Sequence, residues 1–465
     1  MARQRLYGEE QPGISLGPFK LRLPFVHYRF EMSEALQGIF MCATCLGAIP
    51  VLQEVLGVSF EVAWGMVIIN GFLYFLHATL GDPVVPGWIT PAIPLTIAFL
   101  NGYEMGPQRI QALIALQLMV GLIFIILGAT GLAKRIIQIV PRSIQAGILL
   151  GAGVAALIGE FNPAGRFHIF PITIAASSLL AFFLLFSRFF KDLRKKNKIC
   201  DFIGGLGMLP AIILAVIVGP LVGEMAAPQI EWGFFFIPPM GEIIRTVSPF
   251  GIGFPSLQMF AGAIPMALMA YIIAFGDFVT GGALIQDADE ARPDEKIDFD
   301  PNRSNLVSGL RNVIMALISP FTQLCGPLWA AVTAAVSQRY KDGPKAMNSI
   351  FSGVGTFRLM TAFYVALIPI ATLLRPALPV ALSATLLVQG FICTGLAMRM
   401  CKTNQEQCIA GVMGGVLAVM GAAWGLAIGV ILHILIDVSF VKKEDEPQTP
   451  KVEEKVSSEQ KEVST

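Results

Sequence analysis

Asp277 is the residue whose placement most demands an explanation, because the surrounding Ala274-Phe275-Gly276-Asp277-Phe278-Val279-Thr280-Gly281-Gly282 is otherwise apolar or small. A carboxylate deep in such a stretch costs about 2.5–3.5 kcal/mol in lipid unless it is neutralised or faces water. It could carry a proton, ligate a cation or accept a hydrogen bond from a solute; the plain alternative is an acceptor capping a broken helix. Arg311 and Arg358 are as costly at depth. Each could attract an anionic solute or pair with Asp277, or snorkel from a helix end to the interface. His77 and His433 lie on apolar faces and read as packed histidines before proton relays. Thr44, Thr90, Thr96, Thr322, Gln323 and Thr333 offer neutral hydrogen bonds, although threonines in membrane helices usually bond their own backbone.

Enzymatic chemistry finds little to work with. No HExxH or GxSxG motif occurs. The Ala-Phe-Gly-Asp at 274–277 falls one residue short of the GxGD of intramembrane aspartyl proteases, and no partner aspartate stands out in another apolar stretch. Cys42 and Cys45 have CxxC spacing inside an apolar run without a neighbouring histidine, which favours packing over metal. The seven cysteines sit mostly at membrane depth or on the basic side, so no disulfide framework is expected. The expectation is a non-enzyme without cofactor or metal.

The elements that must position these residues are membrane spans. Of 465 residues, 55% are hydrophobic and 14% charged, where soluble domains carry about a quarter charged. Stretches of the roughly 20 apolar residues needed to cross about 30 Å of hydrocarbon recur throughout. We read seven between Ser33 and Val222, an extracytoplasmic loop over 223–254, and seven more to Val438, with Gln407 to Val438 split in two. The domain reading is therefore a cytoplasmic N-terminal segment (1–31), a first repeat (32–222), the loop, a second repeat (255–439) and a disordered cytoplasmic tail (440–465). The predicted fold is an all-α integral membrane protein of about 14 transmembrane segments. Seven spans per half force the second copy to be inverted; Gly47-Ala48-Ile49-Pro50 and Gly262-Ala263-Ile264-Pro265 match across the halves.

The third segment of each half is irregular. Asp82 to Pro94 holds four prolines in thirteen residues, which no continuous helix accommodates. Thr322 to Trp329 precedes only a short apolar run. Extended pieces followed by half-helices are expected in segments 3 and 10, and such backbone at membrane depth marks a solute site.

Most of the 33 basic residues fall in the segments of one side, whereas Arg109, Arg166, Arg245 and Arg375 fall in the opposite loops. By the positive-inside rule both termini are cytoplasmic, in the cell membrane. The first 31 residues are polar, with several prolines and glycines, so no cleaved signal is expected. The mainly acidic stretch Asp287 to Arg303 reads as a solvated connector. A near-zero net charge offers no nucleic-acid signal.

Several positions resemble the superfamily of nucleobase and ascorbate permeases, sulfate permeases and anion exchangers. They are Leu36-Gln37 followed by Pro50; Pro141, Ile144 and Gly147 before the fifth helix; Gly276-Asp277 in the eighth; and Asn302-Arg303, Gly309 and Asn312 around the ninth. The resemblance covers roughly 33–438. It departs from the nucleobase branch at Ile273, where that branch has a glutamate, and around Gly326 to Trp329, where a second glutamate is missing. The tail is too short for the soluble domain usual in sulfate permeases. The resemblance implies a secondary transporter of a small polar or anionic solute in which a core (segments 1–4 and 8–11) moves elevator-like against a gate (5–7 and 12–14), commonly as a homodimer. By family position Cys45, Thr90, Pro91, Ala92, Gly326, Pro327, Leu328 and Trp329 would line the site, and Asp277 would couple transport to H⁺ or Na⁺. A xanthine or uracil permease and an anion channel remain the alternatives.

Overall fold

The computed structural model describes residues 5–133, 135, 139–163 and 165–437. The expected tail disorder, like the basic residues Arg3 and Lys134, lies outside them. The first half contains the hairpin β1 (Ile14–Leu16) and β2 (Phe19–Leu21), then helices α1 (Met32–Leu46), α2 (Ala48–Leu56), α3 (Phe60–Tyr74) and α4 (Leu76–Thr79). The short strand β3 (Gly87–Trp88) follows, with α5 (Ile93–Leu100), α6 (Pro107–Thr130), α7 (Arg142–Phe161), α8 (Pro171–Phe186), α9 (Arg188–Lys196), α10 (Lys198–Gly205) and α11 (Leu209–Leu221). Two short helices, α12 (Met240–Thr246) and α13 (Pro249–Ile252), lie in the connection to the second half. That half comprises α14 (Leu257–Ala291), α15 (Pro301–Ile318), β4 (Cys325–Gly326), α16 (Ala330–Lys341), α17 (Ile350–Val365), α18 (Ile368–Leu374), α19 (Leu378–Met400), α20 (Asn404–Met420) and α21 (Ala422–Leu432).

Local sequence sets the helix starts. Ser59, Ser256, Asp300 and Ser349 each accept a backbone N–H at an N-terminus, and Thr403 with Glu406 forms a capping box at α20. Gly421 (φ 89°) permits the reversal between α20 and α21, which pack as a hairpin.

Packing is reciprocal between the halves. Helix α1 lies on α17 as α14 lies on α6, and α3 lies on α17 as α15 lies on α6. In a second group α7 packs on α20 as α19 packs on α8, and α7 meets α19 directly. Two interlocked copies of one unit produce this pattern. Among the described residues five helical stretches are long and apolar enough to cross a membrane: Phe60–Thr79, Pro107–Thr130, Arg142–His168, Leu257–Ala291 and Ile368–Met400. Three bent pairs raise the number to eight, with bends of 41° within 32–56, 62° at Ser187 and 83° between Gly204 and Leu209. The count of 14 segments is thus not reproduced by length and apolarity: shorter helices, Thr90–Leu100, Ile350–Val365 and Ala422–Ile436, fill several of the places. Arg375, expected in a loop, sits in a 3₁₀ turn within the Ile368–Met400 stretch, its guanidinium 3.9 Å from the Phe60 ring centroid.

The stretch 287–303 is not a free connector. The N-terminal segment docks on it: Gly8 donates to the Asp294 carbonyl (3.0 Å) and Lys296 to that of Glu9 (3.2 Å). Arg5 reaches Asp294 (2.5 Å), Lys20 pairs with Asp298 (2.8 Å), and Arg292 grips Asp294 with two bonds. Because the two Arg292 bonds lead, with Arg5 adding to them, the Asp294 carboxyl is held below the usual carboxylate range. Burial pushes Glu295 the other way, against the pull of Arg5.

Candidate functional site

The prolines of Asp82 to Pro94 keep that stretch extended until Thr90, and the strand they leave finds its partner in the opposite half. β3 pairs antiparallel with β4, Gly87 opposite Gly326 and Trp88 opposite Cys325. Ile89 N–H to Leu324 O (3.2 Å) and Trp329 N–H to Val85 O (2.6 Å) extend the contact on either side. The backbones approach so closely that only glycine fits: a β-carbon on Gly87 would lie 2.6 Å from the Leu328 carbonyl oxygen, and one on Gly326 2.8 Å from the Trp88 carbonyl carbon.

Side chains complete what so short a ladder leaves open. The Asn312 amide donates to the Cys325 carbonyl (2.8 Å) and accepts from the Cys325 N–H (2.9 Å), imitating a further strand. Gln117 accepts from Phe321 N–H (2.8 Å) and Thr333 Oγ1 from Val85 N–H (3.1 Å). This is how backbone at membrane depth is tolerated. The half-helices that follow, Thr90–Leu100 and α16, therefore begin at the crossing and direct their N-terminal dipole ends toward it.

Beside the crossing lie two guanidiniums in the protein interior. Arg311 is 0% exposed and Arg358 1%. Both stack on the ring of Tyr74, at 4.4 and 4.1 Å from its centroid, and Arg358 also lies 5.1 Å from the centroid of Trp329. The Arg311 Nη1 donates to the Gly326 carbonyl (3.2 Å) and contacts His77 Nε2 (3.1 Å). Arginine can only donate, so Nε2 accepts and His77 carries its proton on Nδ1. That N–H points to Asp82 Oδ2 at 2.7 Å, where Ser304 Oγ also donates (2.6 Å). A relay Asp82–His77–Arg311 thus ends on the backbone of β4. Among the described residues no carboxylate forms an ion pair with either arginine; the weakly accepting thiols of Cys325 and Cys45 lie against Arg311 and Arg358, but Nε and Nη2 of Arg311 and all three nitrogens of Arg358 have no oxygen or nitrogen acceptor. Cations taken out of water cost several kcal/mol each unless paired.

The structure distributes the expected lining residues around this crossing. Gly326, Pro327 and Leu328 are buried in it, Ala92 is buried at the start of the first half-helix, and Thr90 and Pro91 are half-buried, the Thr90 hydroxyl reaching only its neighbour Trp88 O (3.5 Å). Trp329 ends the second extended piece, and Cys45 from α1 is buried against Arg358. Asp277 lies half-buried on α14. It is one turn before Gly281, whose β-carbon would sit 3.4 Å from Val84 and 3.6 Å from Leu328, so the two share a face toward the crossing. Asp277 pairs with neither arginine and makes no hydrogen bond among the described residues. His433 contacts Ser143 (3.3 Å), far in sequence from the relay. Sequence reading took His77 for a packed histidine and left Asp82 unremarked as its partner; their spacing of five residues around the end of α4 was the available signal.

At the other end of this region a cavity of about 230 Å³ lies between α2 and α5 on one side and α7 and α19 on the other, its lining including Pro94, Asn101, Ala155 and Leu382. Arg166 bridges its walls: Nη1 reaches Glu54 (2.5 Å), Nη2 reaches Glu160 (2.6 Å) and Nε donates to Ser383 Oγ (3.2 Å).

No protein-family model matches the chain, and no curated protein matches it in sequence. Solved structures do. The transmembrane domain of a cyanobacterium bicarbonate transporter, BicA, superposes with a TM-score of 0.51 over 85% of this chain and 96% of that one, at 14% identity. Murine solute carrier 26 family member A9, an anion transporter in its inward-facing state, gives 0.54 over 88% and 68% at 12% identity. The fold is the one these membrane transporters have, and the extended pieces expected in the third segment of each half are β3 and β4.

Proposed function

We propose that this chain carries a small anion across the bilayer, binding it where the two half-helices meet. The observation that supports this most directly is the pair of interior guanidiniums, Arg311 and Arg358, with open hydrogen-bond donors and no carboxylate partner among the described residues. A soluble counter-charge is what such a pair lacks, and two helix N-termini add positive potential beside it. In this reading Cys45, Thr90, Pro91, Ala92, Gly326, Pro327, Leu328 and Trp329 line the anion's path. Asp277, half-buried on the face toward the crossing, couples its movement to H⁺ or Na⁺. The α1–α6 and α14–α17 group moves as an elevator against the group built on α7, α8, α11 and α19–α21, in a homodimer. The neighbours in the same fold, a bicarbonate transporter and an anion transporter, support the choice of an anion as the solute.

The test is a thermal-shift series on the purified protein with nitrate, chloride, bicarbonate and sulfate against uracil and xanthine, since a ligand that binds the native state raises its apparent stability. Stabilisation by anions that disappears in Arg311→Met and Arg358→Met is the expected result. Stabilisation by a nucleobase and by no anion overturns it. For the coupling role, Asp277→Asn in proteoliposomes abolishes ion-gradient-dependent uptake; unchanged ion dependence removes Asp277 from that role.

A further inference from the structure

The interior charges around Tyr74 can be counted. Arg311 and Arg358 contribute two positive charges and Asp82 one negative, while the Arg311 contact fixes His77 as the neutral Nδ1–H tautomer. The groups facing His77 are Asp82 from the loop after α4, Arg311 from α15 and, farther off, Arg358 from α17; Ser304 of α15 meets Asp82, the Tyr74 ring of α3 lies against both guanidiniums, and the thiols of Cys45 and Cys325 flank the two arginines. The cluster therefore carries one positive charge in excess. A singly charged anion cancels it, whereas a doubly charged anion leaves one negative charge in a low-dielectric interior, where net charge is expensive.

The relay holds two places for a compensating proton: Asp82 Oδ1, buried without a partner, and the Nε2 lone pair of His77 that accepts from Arg311. A proton at Nε2 turns that acceptor into a donor, so Arg311 Nη1 must leave it. The released N–H then joins Nε and Nη2, already open, as a third donor to the anion. Proton and second anionic charge favour each other through one side chain.

We propose that the Asp82–His77 pair is a proton-binding site linked to the charge of the bound anion, so that a doubly charged anion enters with one proton and a singly charged anion with none. This rests on the anion reading above and adds to it a proton site separate from Asp277. The experiment uses the purified full chain in weakly buffered detergent solution with a pH-indicating dye and gluconate as background, titrated with sodium sulfate or sodium nitrate. Sulfate is expected to take up about one proton per chain at saturation and its affinity to strengthen tenfold for each unit the pH falls, the slope of one linked proton; nitrate takes up none. His77→Gln, which can accept from Arg311 and donate to Asp82 without titrating, and Asp82→Asn should each lose the sulfate-linked proton. Equal proton counts for the two anions in the unaltered chain overturn the proposal even if the variants fail to fold, and sulfate-linked uptake persisting in both variants overturns its assignment to this pair. Binding of neither anion removes the anion reading and this one together, an outcome distinct from anion binding without a linked proton.

Discussion

Arg166 and Glu54 are joined by a 2.5 Å ion pair that crosses the boundary between the two helix groups, since Glu54 belongs to α2 and Arg166 follows α7. The same guanidinium holds Glu160 and Ser383 on its own side, so one side chain ties together both walls of the cavity. Replacing Arg166 by Ala should loosen this end at a cost of about 1–3 kcal/mol, because it leaves the buried Glu160 uncompensated while Glu54 remains partly hydrated. Maleimide labelling of Leu382→Cys, a buried residue of the cavity lining, in a background with Cys200 and Cys408 replaced by Ser, reads this out. The rate should rise several-fold; an unchanged rate means that the bridge does not hold the end closed.

Asn312→Ala should be among the most damaging single changes in α15. It strips both backbone groups of Cys325 of their partners in a dry environment, each worth roughly 1–3 kcal/mol. Asn312→Asp retains the acceptor and loses the donor, so its melting temperature should fall between. Equal stability of all three proteins would show that Cys325 is satisfied by other means.

Gly87→Ala should abolish uptake, since no side chain on the strand can relieve a 2.6 Å approach to a carbonyl oxygen. Gly276→Ala is the contrast: a β-carbon there meets nothing within 4 Å, and alanine favours the helix by about 0.5–1 kcal/mol. Uptake surviving in Gly87→Ala would mean that the crossing can separate without loss of function.

How far the sequence discloses the site follows from how local each cause is. Proline density announces the break at 82–94, and it is answered by β3. Carbonyl and amide partners from distant helices, Asn312 for Cys325 and Gln117 for Phe321, have no local signature, so the way β4 is completed was not legible. Arg311 and Arg358 were visible as costly charges, but their shared ring, Tyr74, depends on α3, α15 and α17 meeting. The docking of 5–31 on 287–303 was missed because an acidic stretch and a scattered set of basic residues each look solvated until they are brought together.

That docked segment should respond to acid. Asp294, held low by Arg292 and Arg5, contributes stability that is complete above the ordinary carboxylate range, about 3.9, and is lost as the pH falls through its lower folded value. Glu295, raised by burial, works in the opposite direction, since protonation relieves its desolvation. Protease cleavage within 5–31, followed from pH 7 to 3, should therefore stay slow until below about pH 4. Asp294→Asn should give fast cleavage already at pH 7; slow cleavage there would show that the ion pairs do not hold the segment.

The pairing of Gly87 with Gly326 also bears on how the protein is made. The two strands lie in opposite halves, and neither can satisfy its backbone before the other has been synthesised. While the ribosome is still building the second half, the prolines of 82–94 hold an extended segment with nothing to bond at membrane depth, so that stretch must wait in the translocation channel or at the water boundary. Insertion of the first half is then provisional, and its final depth is fixed only when Cys325 and Gly326 arrive, so the crossing of β3 and β4 closes only after the first half and α14–α15 have been made.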